Sequence, residues 1–381
     1  MTISLMRNID RFVGVPLCWI SGCFRLFSRT TQHTLIKRIL VIKFFGMGSI
    51  ILSSPALSLL RTRYPQAQID FLSFDSNKEL LERYPLIDHV MIIRTSTLYL
   101  FVRDTLNIIF HIRRSNYDVV FDFEFFSKFS TLLSSLSCAK HRIGFAIPTL
   151  WRKLHLTQQV FLTKTKHVSI AFCEQVFCLT GVQPVPAIMP PQIFQYDVEL
   201  MKDKLPLNGK QVIAINVNTS TTFVERRWQS ERFVDLINKL SMETEAYFFF
   251  VGIDKDWQYV QNIIDATANH RRCYNIAGLL SVPELAALLQ QCEMLISNDS
   301  GPVHLAASLG TPVIALYGPE SPHFYGPIGS TASVIYKKTH CSPCMNIFTA
   351  KSFSCPYNAN CMNEIQVDDV MQSIKNISVQ A

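Results

Sequence analysis

Apolar and polar positions along the chain form two series of short apolar runs separated by longer amphipathic stretches. In the first series, β-branched and aromatic runs lie at 38–43, 67–72, 90–93, 117–122 and 142–145, with helical patterns at 50–63 and 98–114. The second series has apolar runs at 211–217, 246–251, 274–278, 294–297 and 312–317, with helical patterns at 230–241, 256 onward, 282–291 and 302–309. Such alternation predicts parallel sheets covered by helices on both faces. The expected fold class is therefore α/β, with two doubly wound Rossmann-like domains facing each other across a cleft.

A composition break separates the two series, because residues 181–194 contain four prolines and no helical period. The length of 381 residues also favours two domains over one. We predict an N-terminal amphipathic extension (1–37), a first Rossmann-like domain (38–180), a linker (181–195), a second Rossmann-like domain (196–340) and a cysteine-containing loop with a C-terminal helix (341–381). That helix, expected at 367–378, is placed to return to the first domain.

The first 37 residues differ from the rest, since 9–27 are apolar and aromatic and are followed by a basic stretch. The uncharged part is shorter than the roughly 20 residues that a membrane-spanning helix needs. No small-residue cleavage site marks a signal peptide. Two interpretations stay open: a helix lying on an anionic membrane surface, and a helix packed on the protein itself. We expect a cytoplasmic protein that can lie peripherally on the inner face of the cytoplasmic membrane.

Composition and charge limit the classes of function that this chain can have. The apolar fraction of 48% and charged fraction of 17% are typical of a folded α/β protein. The net charge of +7 suits anionic nucleotides, phosphorylated glycans or a membrane surface, although an ordinary basic surface explains it equally well. No arginine-rich arm or nucleic-acid module is present, so a nucleic-acid partner is not expected. P-loop and dinucleotide-binding glycine motifs are also missing.

Four cysteines near the C-terminus have the spacing C-x2-C, ten residues, C-x5-C: Cys341, Cys344, Cys355 and Cys361. Thiols at such spacing can form a structural zinc site or disulfides, and without a secretion signal disulfides are the less expected outcome. The last spacing is looser than in a typical zinc ribbon. A structural zinc ion and an ordinary loop therefore stay equally open.

Polar residues in the second series collect where strands end and helices begin. The run at 294–297 leads into Asp299, Ser300 and Gly301, and His304 follows one helical turn later. At this place in an open α/β sheet, free backbone N–H groups and the helix dipole favour anions such as phosphates. Ordinary turn chemistry is the alternative, and it suffices for Gly301 alone. The four residues together predict a binding site.

Other strand ends of the second series add candidates for the same site. Thr219 offers a hydroxyl after the run at 211–217, and Gly278 ends the run at 274–278. Arg226 can neutralise a diphosphate, because its planar guanidinium donates two parallel hydrogen bonds. Trp228 is expected to pack against the domain rather than stack on a base.

The first series contributes candidates that can act on an acceptor. Gly48, with Gly46, lets backbone amides approach a ligand, although tight turning explains both glycines equally well. Asp122 and Glu124 follow the run at 117–122, and Lys128 comes shortly after. A carboxylate there can deprotonate a sugar hydroxyl, and a lysine can meet a phosphate. Solvated loop charges are the alternative.

These segments together resemble glycosyltransferase family 9, the ADP-heptose:lipopolysaccharide heptosyltransferases. The resemblance covers about residues 38–378. It rests on ILVIKFFGMGSIILSSPALSLLRTRYP, FDFEFFSKFSTLL with RIGF, ERRWQSERF and NDSGPVHLAASLGTPVIALYGPESP. The tail CSPC…CPYNANCMNEI is also similar to that of some members.

The resemblance implies a GT-B fold and inverting transfer of heptose from ADP-heptose to a lipid-linked glycan, without a required cofactor or catalytic metal. The donor contacts it implies are Asp299 near the sugar, Ser300 and Gly301 near the diphosphate, and His304. Arg226 takes the place of a family lysine that supports the diphosphate. Lys128 matches a lysine implicated in acceptor or phosphate contact.

One position departs from the family pattern. After Met47 and Gly48 the family places an aspartate proposed as the general base, and this chain has Ser49. A serine hydroxyl cannot take a proton near pH 7 as a carboxylate does, so Glu124 or Asp122 is expected to substitute, or the acceptor differs. The alternative function is a non-catalytic nucleotide-sugar-binding or scaffold protein. A UDP-sugar epimerase of the same architecture lacks its motifs here.

Overall fold

The computed structural model describes residues 35–125, 127–146, 151–182, 187–207, 209–219, 223–345 and 354–380. The predicted N-terminal extension lies almost wholly outside these residues. The chain divides into two compact units, and the boundary falls between Met189 and Pro190. Each unit is described by itself below.

The first domain is built on a six-stranded, fully parallel sheet with the order β3-β2-β1-β4-β5-β6. Its strands are β1 (Arg38–Ile42), β2 (Gln68–Phe74), β3 (His89–Ile93), β4 (Val119–Asp122), β5 (His141–Ala146) and β6 (Gln158–Phe161). The central strands are apolar except for Arg38 at the start of β1 and Asp122 at the end of β4, because helices cover both faces of the sheet. The helices are α1 (Met47–Leu52), α2 (Ser54–Arg63), α3 (Lys78–Leu81), α4 (Leu98–Ser115), α5 (Lys128–Leu136) and α6 (Val168–Thr180).

The second domain repeats this plan with the order β12-β11-β10-β7-β8-β9, again parallel throughout. Its strands are β7 (Val212–Asn216), β8 (Tyr247–Phe250), β9 (Cys273–Asn275), β10 (Met294–Asn298), β11 (Val313–Tyr317) and β12 (Ala332–Tyr336). Its helices are α7 (Gln195–Lys204), α8 (Ser230–Glu243), α9 (Trp257–Asp265), α10 (Val282–Gln291), α11 (Gly301–Ser308), α12 (Pro322–Tyr325), α13 (Asn360–Asn363) and α14 (Val367–Gln380). The predicted α/β class with two doubly wound domains is confirmed.

The structure refines two helices that the sequence predicted. The helix expected at 50–63 is two helices that meet at Ser53, because Pro55 in the first turn of α2 has no N–H to continue the hydrogen-bond ladder of α1. The C-terminal helix α14 packs on α8, β11 and β12 of the second domain. Lys239 and Lys337 hold it there through ion pairs with Asp368 and Asp369.

Both sheets reverse their strand order at one point, between β1 and β4 in the first domain and between β7 and β10 in the second. The loops that leave two such neighbouring strands run in opposite directions over the sheet. A crevice therefore opens at their carboxyl ends, where ligands bind in open α/β sheets. Within the described ranges, no helix is long and apolar enough to cross a bilayer.

Candidate functional site

Two asparagines organise the switch point of the second sheet. Asn298, the last residue of β10, accepts a hydrogen bond from the Trp228 backbone N–H (3.0 Å) and donates to the Val217 carbonyl (2.8 Å). Asn216, the last residue of β7, donates to the hydroxyls of Ser297 (2.9 Å) and Ser300 (2.7 Å). These bonds are buried, so they lock the ends of β7 and β10 together. Every loop that leaves this point starts from a fixed position.

Asp299 lies directly after β10 and forms an ion pair with Arg226, with 3.1 Å between Oδ2 and Nη1. Only 6% of the Asp299 side chain is exposed, against 19% for Arg226. Burial raises the pKa of Asp299 above its usual value, and the Arg226 charge and the Tyr317 hydroxyl act against that shift. The pair therefore places a partly open cation over a buried anion.

Two further contacts hold the Arg226 guanidinium in position. Its Nε donates to Met345 Sδ over 3.2 Å, and its plane lies 4.8 Å from the Phe223 ring centroid. Met345 is itself fixed, because its backbone N–H donates to the Pro319 carbonyl after β11 (2.9 Å). The Arg226 side chain is still 19% exposed, so a ligand can reach the guanidinium. A planar fork held in this way suits a diphosphate.

Ser300, Gly301 and His304 lie at the start of α11, as the sequence predicted. Ser300 is the N-cap residue, but its hydroxyl donates to the Asn298 carbonyl (3.0 Å) and does not cap its own helix. The positive end of the helix dipole is therefore not neutralised by its own cap, which favours a bound anion. His304 lies one turn further along, 4% exposed.

Contacts within the domain explain why Thr219 and Gly278 occupy their positions. The Thr219 hydroxyl donates to the Phe223 carbonyl (3.1 Å) and closes the loop that carries Arg226. Gly278 has a φ of +78°, and a Cβ there would lie 2.7 Å from the Asp254 Cα. A side chain would therefore collide with backbone, so glycine is required for packing alone.

Glu124 lies at the switch point of the first sheet, and its carboxylate is fully engaged there. Its Oε1 accepts from the backbone N–H groups of Phe44 (2.6 Å) and Phe45 (2.9 Å) and pairs with Lys43 Nζ (3.0 Å). Lys43 also donates to the Phe45 carbonyl (2.7 Å), and both charged side chains are buried. These contacts all fall on Oε1, and the buried Lys43 ammonium balances the negative charge; the role of Glu124 as a general base stays a prediction.

Asp122 is more deeply engaged still, with no exposed surface. It forms a buried ion pair with Arg152 and accepts from the hydroxyls of Ser130 (3.0 Å) and Thr131 (3.3 Å). Arg152 in turn donates to the Glu124 carbonyl (2.7 Å). Burial raises the pKa of Asp122, with the Arg152 charge opposing the shift. The buried carboxylate ties β4 to α5 and to Arg152, and its catalytic role stays a prediction.

The remaining first-domain candidates lie at the carboxyl ends of β1 and β4. Gly48 and Ser49 are buried in the first turn of α1, whose N-cap Gly46 has a φ of +88°. Lys128 is the first residue of α5, half-buried. The structure therefore brings Ser49, Glu124 and Lys128 to neighbouring loops of one sheet edge.

The four C-terminal cysteines are free thiols close to the end of β11. Cys361 is buried beside Gly318, and burial together with the neighbouring thiols raises its pKa to about 11. In the described part of the chain, no three histidine, cysteine or acidic side chains are arranged to hold a metal ion. The structural zinc ion that their spacing predicts stays a prediction.

Several residues that shape both sites have weak sequence signals. Lys43, Asn216 and Asn298 are polar residues at the ends of apolar runs, and that position could have identified them. Arg152 and Met345 carry no such signal, because the chain brings them to Asp122 and Arg226 from distant segments.

Comparisons with known proteins identify the family of this chain. The family model described as glycosyltransferase family 9 (heptosyltransferase) matches residues 106–352. The chain belongs to glycosyltransferase family 9. It is thus an enzyme of the glycosyltransferase class, as its sequence predicted.

The chain is also similar to individual heptosyltransferases. It is 26% identical over 306 residues to lipopolysaccharide heptosyltransferase 2 of Salmonella typhimurium, covering 78% of this chain and 87% of the relative. Among solved structures, the ADP-heptose heptosyltransferase II of E. coli superposes with a TM-score of 0.74 at 21% identity, covering 90% of this chain and 99% of that one. A second E. coli heptosyltransferase, solved with ADP-2-deoxy-2-fluoro heptose, gives 0.65 at 16% identity, covering 89% and 99%. The GT-B fold is therefore shown.

Proposed function

We propose that this glycosyltransferase moves a heptose from ADP-heptose to a lipopolysaccharide-core acceptor with inversion at the anomeric carbon. The Arg226–Asp299 pair at the β7–β10 switch point carries the proposal. It lies at the start of α11, where the backbone dipole and the guanidinium act on the same anion. The similarity to enzymes whose names and bound ligands include ADP-heptose or its analogue supports this donor.

Arg226 stabilises the leaving group in this scheme. As the acceptor oxygen bonds to the anomeric carbon, the bond to the diphosphate breaks and negative charge grows on its oxygens. A guanidinium already fixed by Asp299, Met345 and Phe223 needs no rearrangement to meet that charge. Asp299 holds the guanidinium in place and lies near the sugar.

An apolar surface for the nucleotide base lies on the same sheet edge. Ile253 and Leu279 are exposed after β8 and β9, and the close approach of Gly278 to Asp254 brings them together. Trp257, also exposed, begins α9 just beyond. A flat base can cover this surface while its diphosphate points toward β10.

The acceptor side lacks the carboxylate expected at residue 49. The acceptor proton leaves as the new bond forms, and a general base is worth about 10²–10⁴-fold in rate. Asp122 and Glu124 are engaged in buried pairs, so we propose that turnover is slow rather than restored by either. Ser49 and Lys128 then orient the acceptor and its phosphates.

Calorimetry and turnover test the proposal together. The purified chain is titrated with ADP-heptose and with UDP and GDP sugars, and nucleoside diphosphate release is followed with a lipid A–core acceptor. We expect binding selective for ADP-heptose and slow ADP release, with the product of opposite anomeric configuration by NMR. Arg226→Gln should weaken donor binding and slow ADP release. Arg271→Gln, which replaces an arginine outside the proposed site, is the control.

Two outcomes contradict the proposal in different ways. Tight binding of another nucleotide sugar would show that the donor is that sugar and not ADP-heptose. Selective ADP-heptose binding without turnover on any acceptor points to the non-catalytic nucleotide-sugar-binding homologue, which the serine at position 49 favours.

A further inference from the structure

Helix α4 exposes a continuous row of large apolar side chains. At about 100° per residue, positions 98, 99, 102, 106 and 110 fall within one third of the helix circumference. All five are exposed: Leu98, Tyr99, Val102, Leu106 and Phe110, with Tyr99 at 71%, Leu106 at 61% and Phe110 at 60%. We call this set the α4 outer face.

The outer face is not the face that packs on the domain. Ile112 is buried in the first-domain core, and Phe101 and Ile108, which lie on the same side of the helix as Ile112, pack against that core. A surface helix usually turns polar residues outward. This helix is apolar on both faces, so packing within the domain accounts for only one of them.

Arginines border the outer face and two of them lie over its aromatic rings. Arg103 lies 5.7 Å from the Tyr99 ring centroid, and Arg114 lies 4.5 Å from that of Phe110. Arg113 is exposed beside them. The one acid of the helix, Asp104, is buried and bonds Arg94 at 2.7 Å. The exposed surface of α4 is therefore apolar and cationic, without a carboxylate.

We propose that the α4 outer face docks on an anionic lipid bilayer surface. With the helix lying flat, the row from Leu98 to Phe110 presents about 18 Å of apolar surface. Apolar side chains enter the headgroup boundary, aromatic rings sit at its level, and arginine stems reach back to lipid phosphates. Charge complementarity favours this occupant, since each basic residue near the surface is worth about 1 kcal/mol of attraction.

Two other occupants fit the charges less well. A symmetric dimer would bury the arginines of both copies in a contact that holds no carboxylate to pair with them. Residues 1–34 contain four arginines and a single acid, so they also present like charge to α4. The bilayer is the occupant that supplies negative charge along the whole face.

Vesicle co-sedimentation of the full chain tests the proposal without donor or acceptor, and therefore independently of the proposed function. We expect binding to vesicles containing phosphatidylglycerol, weakened by salt, and little binding to pure phosphatidylcholine. The double variant L106E/F110E should lose most of this binding. R103Q/R113Q/R114Q should weaken it by roughly fivefold per arginine.

A matched control is Leu200→Glu, because Leu200 is an apolar residue of α7 that is 47% exposed in the other domain. It should bind vesicles as the unsubstituted chain does, and all variants should unfold at the same temperature. Equal vesicle binding by L106E/F110E and the unsubstituted chain would overturn the proposal, whatever residues 1–34 contribute. So would a change from dimer to monomer in L106E/F110E without loss of vesicle binding, measured by light scattering.

Discussion

The two switch points of this protein use buried carboxylates in different ways. In the first domain, Asp122 and Glu124 are each bonded by a buried cation and by further donors, and all the charged partners are nearly inaccessible. In the second domain, Asp299 is buried but its partner Arg226 is partly exposed. The two clusters contain the same types of residue in the same place: acids that follow a parallel strand, with a cation nearby.

The accessibility of the cation distinguishes a structural cluster from a binding site. A buried ion pair with every donor satisfied holds loops in place and offers nothing to a ligand. A pair whose cation faces solvent can exchange water for a phosphate. We therefore propose that the first cluster is structural and that the second binds the donor, and the following predictions test that proposal.

Ser49→Asp should have the largest effect, because it adds an unengaged carboxylate to the first domain. If residue 49 is the base position, turnover with a lipid A–core acceptor should rise by about 10²–10⁴-fold. The neutral, equally sized Ser49→Asn should give no rise. Equal rates for Ser49→Asp and Ser49→Asn would show that the base lies elsewhere.

Arg152→Met should cost about 3–5 kcal/mol of stability, because it leaves Asp122 as an uncompensated buried charge. Arg226→Met, its counterpart in the second domain, should cost less stability and lose more donor affinity. Urea unfolding and calorimetry measure the two quantities. Equal stability losses in the two variants would remove the distinction between the clusters.

Asp299→Asn should lower kcat/KM at least about tenfold, or 1.4 kcal/mol, by releasing Arg226 from its position. It also has a pH signature. Since burial raises the folded-state pKa above the usual 3.8, the stability contribution of Asp299 is complete at low pH and is lost as pH rises through that folded-state pKa.

The Asn variant cannot titrate there, so its stability relative to the unsubstituted chain should increase as pH rises above about 4. Urea midpoints from pH 4 to 7 measure this difference. A constant difference across that range would mean that Asp299 is not desolvated in solution.

Glu124→Gln should have the smallest effect on turnover. It should still cost about 3–5 kcal/mol of stability, because the buried Lys43 ammonium loses its countercharge even though the amide oxygen can accept the Phe44 and Phe45 N–H groups. The apparent pKa of the acid limb of the kcat/KM pH profile should not change. Loss of that limb in Glu124→Gln alone would restore this residue as the general base.

Much of the fold and part of the site could be predicted from the chain. Strands β1, β7, β10 and β11 were evident because fully buried parallel strands are continuous apolar runs. The short edge strands β6 and β12 were not expected, since only some of their residues are buried and their pattern is weak. Trp228 was expected to pack inside the domain, and it is fully buried with its indole N–H bonded to the Ile365 carbonyl (2.9 Å).

The sequence by itself determined the α/β class, the two domains, the family and the cluster of Asp299, Ser300, Gly301 and His304. These properties follow from periodicity and from residues adjacent in the chain, which local rules describe. Only the tertiary structure decided that Asp122 and Glu124 are engaged, that Met345 holds Arg226, and that α4 is apolar on its outer face as well. Those facts depend on contacts between segments far apart in the chain and on which face of a helix is exposed to solvent. Local sequence patterns contain neither kind of information.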